Sequence, residues 1–354
     1  MKYKNTFIQN IYYMLTYAFK VLNQRNYEEV ETETFEDVYN LFAEILIKGV
    51  QKQVKQGLHK EYIDKQENLP TIRGKINIRE SMKNKMQKRQ LLMCEYDELT
   101  EDNLYNQIIK STMLVLMRES SVAEERKIKL KQLLLHFSKV QAVDLQSIEW
   151  RYLKIQRNNQ TYQLLLNICY FVIDGLLLTT EKGTFKSPMF SDENINLLFE
   201  RFVFNYYKEE LQGIKVHAPH IDWHLSEEFF NEDSSFLPQM QTDIVLSRGE
   251  QQLIIDTKFY SYPLSEHDKL SSGNLYQIFS YVKNEDINHT GEVSGLLLYA
   301  QTDADIHPDF NFEMSGNQIS VKTLNLNQNF EGIKAELNQI VVERFGAESQ
   351  TKSI

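Results

Sequence analysis

The sequence predicts an α/β chain, α+β overall: a mostly helical, mixed N-terminal domain followed by a domain built on a central mixed sheet. Three observations predict it. Apolar positions recur at helical spacing through the first half. The second half reads helix, three short strands, helix, strand, which is the pattern of a sheet covered by helices. Between the halves lies TTEKGTFKSP, residues 179–188, rich in turn formers.

Taken in order, residues 6–22 and 36–56 carry helical spacing. LPTIRGKINIRES, 69–81, reads as a turn and a short strand. Thr100 is placed as the N-cap of a helix running to about Met117, with Glu101 and Asp102 favouring its positive end. Residues 124–137 and 161–178 give further helices. Ser191 or Asp192 then caps a helix from Glu193 to about Leu211. Strands follow near 214–219, 240–247 and 252–260, then a helix from about Ser272 to Val282. The strand GEVSGLLLYA, another near 318–324 and a helix over 328–345 complete the pattern. The expected domains are therefore 1–180 and 186–346, with a polar flexible tail at 347–354.

Composition is that of an ordinary globular protein, with 42% hydrophobic and 25% charged residues in 354. Two cysteines, Cys94 and Cys169, cannot build a disulfide framework and fit a reducing, cytoplasmic setting. No stretch is long and apolar enough to span a bilayer; Leu164 to Leu178 is too short and carries Asn167 and Asp174. The first segment has lysines before an apolar run, but that run is tyrosine-rich and lacks a small-residue cleavage site, so it reads as an amphipathic helix. A net charge of −10 argues against general nucleic-acid affinity. Residues 51–90 reverse it locally, with eleven Lys/Arg against four Asp/Glu. Such a stretch is either a solvated surface or a phosphate-contacting patch.

The segment TDIVLSRGEQQLIIDTKFY, 242–260, carries the chemistry. Asp256 and Lys258 interrupt an apolar run, where charge needs a partner or a purpose. SRGE, 247–250, reads as the turn of a hairpin, which sets Asp243 opposite or nearly opposite Asp256. Directly opposed residues carry Cβ atoms about 4.5–5.5 Å apart. Two carboxylates at about 5 Å repel by about 3 kcal/mol at an effective dielectric near 20. Lys258, two residues from Asp256 and on its face, offsets part of that. A hard divalent cation offsets more, and Mg²⁺ keeps waters that leave room for a phosphate. On this reading Asp243 and Asp256 hold Mg²⁺, joined by the Thr257 carbonyl, and Lys258 orients the attacking water or stabilises phosphorane charge. A structural Asp–Lys pair on a strand face is the alternative reading.

The following helix carries Gln277 and Tyr281, four apart on one face. His217, His220 and His224 lie within eight positions, but Pro219 breaks a helical presentation and no cysteine is near, so they read as a surface loop rather than a zinc site. No G-x-x-x-x-G-K-[ST] loop is present, so this chain is expected to bind no nucleotide itself.

Asp243, Asp256, Lys258 and the Gln277/Tyr281 helix together resemble the PD-(D/E)XK nuclease superfamily, of restriction-endonuclease-like fold. Gln277 and Tyr281 match the Q-x-x-x-Y helix of its RecB-like branch, where such residues support the site and meet DNA. Thr242 stands where the superfamily has proline, and the second acid is Asp256 rather than glutamate. Some members add a glutamate from the preceding helix; Glu200 is the candidate, and the sequence does not place it. Over nearly its whole length the chain also resembles the McrC family, nuclease subunits of the McrBC modified-cytosine restriction system. IQNIYYMLTYAF (8–19), LPTIRGKINIRES (69–81), CEYDELTEDNLYNQIIKST (94–112), MQTDIVL, LIIDTKFY, NLYQIFSY and GLLLYA carry that resemblance, in order. It implies a Mg²⁺-dependent double-stranded DNA endonuclease that docks on an McrB-like GTPase motor and stimulates it, the first domain being the docking part. A RecB-like repair or CRISPR-associated nuclease and a non-cleaving GTPase-activating adaptor are the competing readings.

Overall fold

A computed structural model describes residues 2–19, 35, 37–150, 153, 160–181, 192–225, 236–259, 269–301 and 308–346. Turn-rich residues 182–188 of the expected boundary, Ser191 and the tail after 346 lie outside them. The chain divides into two compact units, one of residues 37–176 and one of residues 1–36 with 177–354.

The unit of 37–176 begins with α2, Val38–Gln56, which follows α1 (Lys2–Ala18) in the chain. Asp37 caps α2 by accepting from Tyr39 N at 2.8 Å. Apolar residues surround α2 on most sides, so it is buried nearly throughout, and Leu41, Phe42, Ile45 and Leu46 are fully enclosed. Burying each such side chain contributes roughly 1.5–3 kcal/mol. Glu44, also buried, pairs with Arg126 at 3.2 Å. Strands β1 (Glu61–Leu69), β2 (Lys75–Ile76) and β3 (Leu92–Thr100) form an antiparallel sheet in the order β1-β3-β2, with α3 (Ile78–Met86) between β2 and β3. Helices α4 (Leu104–Arg118) and α5 (Glu124–Leu134) follow, and α6 (Gln160–Glu181) continues past Leu176 into the other unit.

The expected N-cap at Thr100 is corrected: Thr100 ends β3, and Asn103 caps α4 by accepting from Asn106 N at 3.2 Å. Both asparagines also donate to the His59 carbonyl, and Tyr162 joins His59 N to Asn106 Oδ1 through bonds of 2.8 and 2.6 Å. This latch fixes the base of the β1–β3 pair to α4 and α6. The asparagines of TEDNLYNQ are therefore held by a packing role.

The division after 176 lies close to the expected boundary, and what is corrected is the place of residues 1–36, which belong to the second unit. Helix α1 packs on α7 (Asp192–Glu210), not within 37–176. Ile8, Ile11, Met14 and Leu15 are buried, and Asn10 Nδ2 donates to the Leu326 and Gln328 carbonyls at 2.8 Å each. Strands β4 (Lys215–His217), β5 (His220–Ile221), β6 (Met240–Gln241), β7 (Ile244–Arg248) and β8 (Gln251–Lys258) come next. After them come α8 (Ser272–Glu285), β9 (Val293–Ala300), β10 (Phe310–Met314), β11 (Asn317–Leu324) and α9 (Phe330–Phe345). The six-stranded sheet has the order β10-β11-β9-β8-β7-β4. β9 runs parallel to β8 and β11, and the other pairings are antiparallel.

Both faces of this sheet are covered, so β8 and β9 read as continuous apolar runs rather than as alternation. On one face α8 presents Ile278, Tyr281 and Val282 to Val245, Ile254, Leu297 and Tyr299. Gly295 allows that approach, since a Cβ there would lie 2.7 Å from Ile278 Cγ1 and 2.9 Å from Val282 Cγ2. On the other face α7 is tied to α9 by Tyr206 Oη donating to Asn338 Oδ1 at 2.9 Å and Tyr207 Oη to the Leu337 carbonyl at 3.0 Å. Among the described residues no helix is long and apolar enough to cross a membrane. Cys94 and Cys169 are free and buried, and burial pushes the Cys169 thiol up to about 12.

Candidate active site

The hairpin register decides where the carboxylates fall. Arg248 pairs with Gln251 and Ile244 with Ile255, leaving Gly249 and Glu250 as the turn. Gly249 sits at φ +62°, which glycine adopts without strain. Extending the register by one residue sets Asp243, just before β7, level with Asp256 in β8. Thr242, at the superfamily's proline position, is buried and satisfied, its hydroxyl donating to the Pro219 carbonyl at 2.8 Å.

The two aspartates hold different partners. Asp243 Oδ2 accepts from Thr257 N at 2.8 Å and from Thr257 Oγ1 at 2.9 Å. Asp256 is 1% exposed, and neither of its oxygens has a hydrogen-bond partner of good geometry. Its Oδ2 stands 2.6 Å from Lys258 Nζ, so the pair is held by charge. Burial raises the Asp256 carboxyl above the usual range; Lys258 opposes that and Asp243 adds to it. A buried carboxylate with an orphaned oxygen is costly, and a fold retains one where something else satisfies it.

Glu200 lies close enough to the two aspartates to feel their charge. Asn196 on α7 accepts from Phe259 N at 2.8 Å, which pins that helix to the end of β8. One helical turn on, Glu200 shares Asn196's face and so points to the same place. Burial and the Asp243 carboxylate, with a smaller contribution from Asp256, push Glu200 up to about 7 against the pull of Arg201 and Lys258. The sequence left this residue unplaced. The available signal was a glutamate set among Phe199, Phe202 and Val203 on a helix that otherwise faces the core.

On the other side, Gln277 Nε2 donates to Tyr281 Oη at 2.8 Å, and Tyr281 Oη donates to the Gln241 carbonyl at 2.9 Å. The helix α8 is thereby fastened to the chain two residues before Asp243, and Gln277 acts within this link. Tyr299, which pairs with Lys258 in register, accepts from Asn274 Nδ2 at 3.0 Å. The structure thus brings Asp243, Asp256 and Lys258 to one end of β8, with Glu200 facing them and Gln277 behind Tyr281. His217 and His220 fall on β4 and β5 rather than on a loop. Among the described residues no three or more His, Cys, Asp and Glu side chains close about a common point, at the histidines or at the carboxylates.

Fold and site define a class first: an α/β protein with a carboxylate–lysine cluster at the end of a central strand. Comparison with known proteins narrows it. The family model described as "McrBC 5-methylcytosine restriction system component" matches residues 3–300, and the chain belongs to that family. A relative from Escherichia coli (strain K12), the "Type IV methyl-directed restriction enzyme EcoKMcrBC", is 26% identical over 341 residues, covering 95% of this chain and 97% of the relative. A solved structure from Thermococcus gammatolerans, a refined half-complex from a tetradecameric assembly of McrB AAA+ hexamers with bound McrC, shares the fold. Its TM-score is 0.50 at 18% identity, over 94% of this chain and 76% of that one.

Proposed function

We propose that this restriction-system component is its Mg²⁺-dependent DNA endonuclease subunit, of PD-(D/E)XK type, working with an McrB-like GTPase motor. The observation that carries the reading is the meeting of Asp243, Asp256 and Lys258 in hairpin register, with Asp256 buried, its Oδ2 paired with Lys258 and its Oδ1 without a hydrogen-bond partner. Asp243 and Asp256 lie level in the hairpin with Lys258 beside them and the Glu200 carboxyl within reach of their charge, so the donor set suits a hard divalent ion that keeps most of its waters. Asp243 and Asp256 would hold the ion, which when bound polarises the scissile phosphodiester and acidifies a water.

The chain's own residues supply the rest. Asp243 is oriented by two bonds from Thr257, so its second oxygen is aimed without further ordering. Lys258, tethered to Asp256, holds its ammonium where negative charge develops on the phosphate oxygens. The Gln277–Tyr281–Gln241 link keeps α8 seated against the segment that delivers Asp243.

Docking on the motor and stimulation of its GTP hydrolysis fall to the unit of 37–176 in this reading. Its three-stranded sheet and α3 expose Tyr62, Ile72, Ile78, Met82 and Met86 beside the basic residues of 51–90. An exposed apolar set with a basic rim suits a protein partner carrying carboxylates. A cytoplasmic setting follows from the same reading.

The test is co-purification with a motor encoded beside this chain, then cleavage assays on methylated and unmethylated DNA with GTP and Mg²⁺. Metal-dependent cleavage by the pair supports the proposal. A pair that hydrolyses GTP and binds DNA without cutting under either condition would leave the chain a non-cleaving activator.

A further inference from the structure

The ladder between β7 and β8 ends before the carboxylate cluster does, its last pair being Ile244 with Ile255. Along a strand, successive N–H groups point to opposite sides. In β8 the even-numbered ones point towards β9, as Gln252 N shows by donating to the Glu292 carbonyl at 3.0 Å. The odd-numbered ones point towards β7, and past Ile255 that pairing is finished. The amides of Thr257 and Phe259 therefore need other acceptors. Side chains supply both: Asp243 Oδ2 accepts from Thr257 N at 2.8 Å, and Asn196 Oδ1 accepts from Phe259 N at 2.8 Å.

The stretch Asp256–Phe259 is thus held unequally. On one side β9 supports it by backbone pairing, with Lys258 level with Tyr299. On the other it hangs from two side-chain acceptors, and one of them, Asp243, is itself a member of the cluster. Asn196 comes from outside the cluster, on α7. Its hold is doubled by the next residues of that helix: the Phe199 ring meets the Phe259 ring edge-on, with centroids 6.1 Å apart and planes at 74°. Phe199 is fully buried, so the end of β8 is clasped to a helix anchored in the core. Glu200 lies one helical turn beyond Asn196, so the same clasp sets its distance from Asp243 and Asp256.

We infer that Asn196 is a positioning residue for the divalent-cation site: by accepting from Phe259 N it fixes the Asp256–Lys258 segment against α7, and so spaces the carboxylates before an ion arrives. The inference rests on the nuclease reading of this same site. Carboxylates already spaced bind an ion without the cost of ordering the chain that carries them. Without the asparagine oxygen the Phe259 amide loses its acceptor. The segment then gains freedom that a binding ion must remove, and Thr257 N no longer holds Asp243 at a fixed place. In this role Asn196 touches neither ion nor phosphate.

The experiment titrates the full-length chain with MnCl₂ and reads the free ion by electron paramagnetic resonance, which measures affinity without any cleavage. Asn196→Leu and Asn196→Ala each remove the acceptor, one at similar volume and one without added apolar surface. Each should weaken Mn²⁺ binding about fivefold. Asn196→Asp keeps an acceptor in the same place and should bind at least as tightly as wild type. In the complex with the motor, Asn196→Leu should need about fivefold more Mg²⁺ for half-maximal cleavage and approach the wild-type rate at saturation. A merely structural asparagine would lower the urea midpoint and leave the affinity of the folded molecules untouched. Wild-type Mn²⁺ affinity in both Asn196→Leu and Asn196→Ala therefore overturns the inference, as does equal weakening by the leucine and aspartate substitutions. Failure of the underlying reading has a different signature: wild type then binds no Mn²⁺, or Asp256→Asn binds it undiminished.

Discussion

Replacing Gly295 by alanine tests how α8 is seated on the sheet. The new Cβ would stand 2.7 Å from Ile278 Cγ1 and 2.9 Å from Val282 Cγ2, both in fully buried side chains. Carbon atoms prefer roughly 3.5–4.0 Å, so the contacts are short by roughly 0.6–1.3 Å. A close-packed interior yields little, and forcing one methyl into it typically costs about 1–3 kcal/mol. Alanine also restricts the unfolded chain, which returns about 0.4–1 kcal/mol. The net expectation is a loss of about 1–2 kcal/mol, read as a lower urea midpoint at unchanged slope. Because α8 must lift, the Tyr281–Gln241 link lengthens, and DNA cleavage by the assembled complex should fall by more than stability alone explains. Adding Val282→Ala vacates the clashing methyl, so the double variant should cost less than the sum of the singles by about 1 kcal/mol. An alanine variant as stable as the parent, or strictly additive costs, would refute the packing argument.

Other expectations follow from the same geometry. Tyr281→Phe leaves Gln277 Nε2 and the Gln241 carbonyl without their shared partner and should cost about 1 kcal/mol in urea unfolding, with slower cleavage but unchanged DNA binding. Burial alone would raise Asp286, but bonds from Asn317, Gly291 N and Thr290 hold it down to about 2. Its folded value is depressed, so its contribution is complete above about pH 4 and is lost as pH falls towards 2. Asp286→Asn should accordingly lower the urea midpoint at pH 7 and make little difference near pH 2. A fragment of residues 37–176 should be soluble by size-exclusion chromatography and should stimulate GTP hydrolysis by the motor. The fragment 1–180 should aggregate, because α1 would expose Ile11, Met14 and Leu15 without α7.

The hairpin was legible because two short-range signals agree: an apolar run on either side and a glycine where the turn needs positive φ. The same reasoning set Asp243 level with Asp256, and helical spacing set Gln277 beside Tyr281. It did not show that Asp243 turns to Thr257, a contact made beyond the end of the ladder. Glu200 was recognisable only as a candidate, since its position depends on Asn196 bonding to Phe259, 63 residues away. Strand β1 was missed because it is largely exposed on both faces, so EYIDKQENL shows no apolar alternation, and β3, which pairs with it, was missed with it. The cap moved from Thr100 to Asn103 because both are good cap residues three apart, and the latch to His59 selects the asparagine. Helix α1 was assigned to the wrong domain because it buries its apolar face on a helix nearly two hundred residues on, which no local window reveals.

Cleavage of duplex DNA by the chain assembled with its motor, in GTP and Mg²⁺, is the most direct measurement. Wild type should cut, whereas Asp256→Asn and Lys258→Ala should each bind DNA and the motor normally, stimulate GTP hydrolysis, and fail to cut at a comparable rate. Cleavage by Asp256→Asn at the wild-type rate would contradict the account.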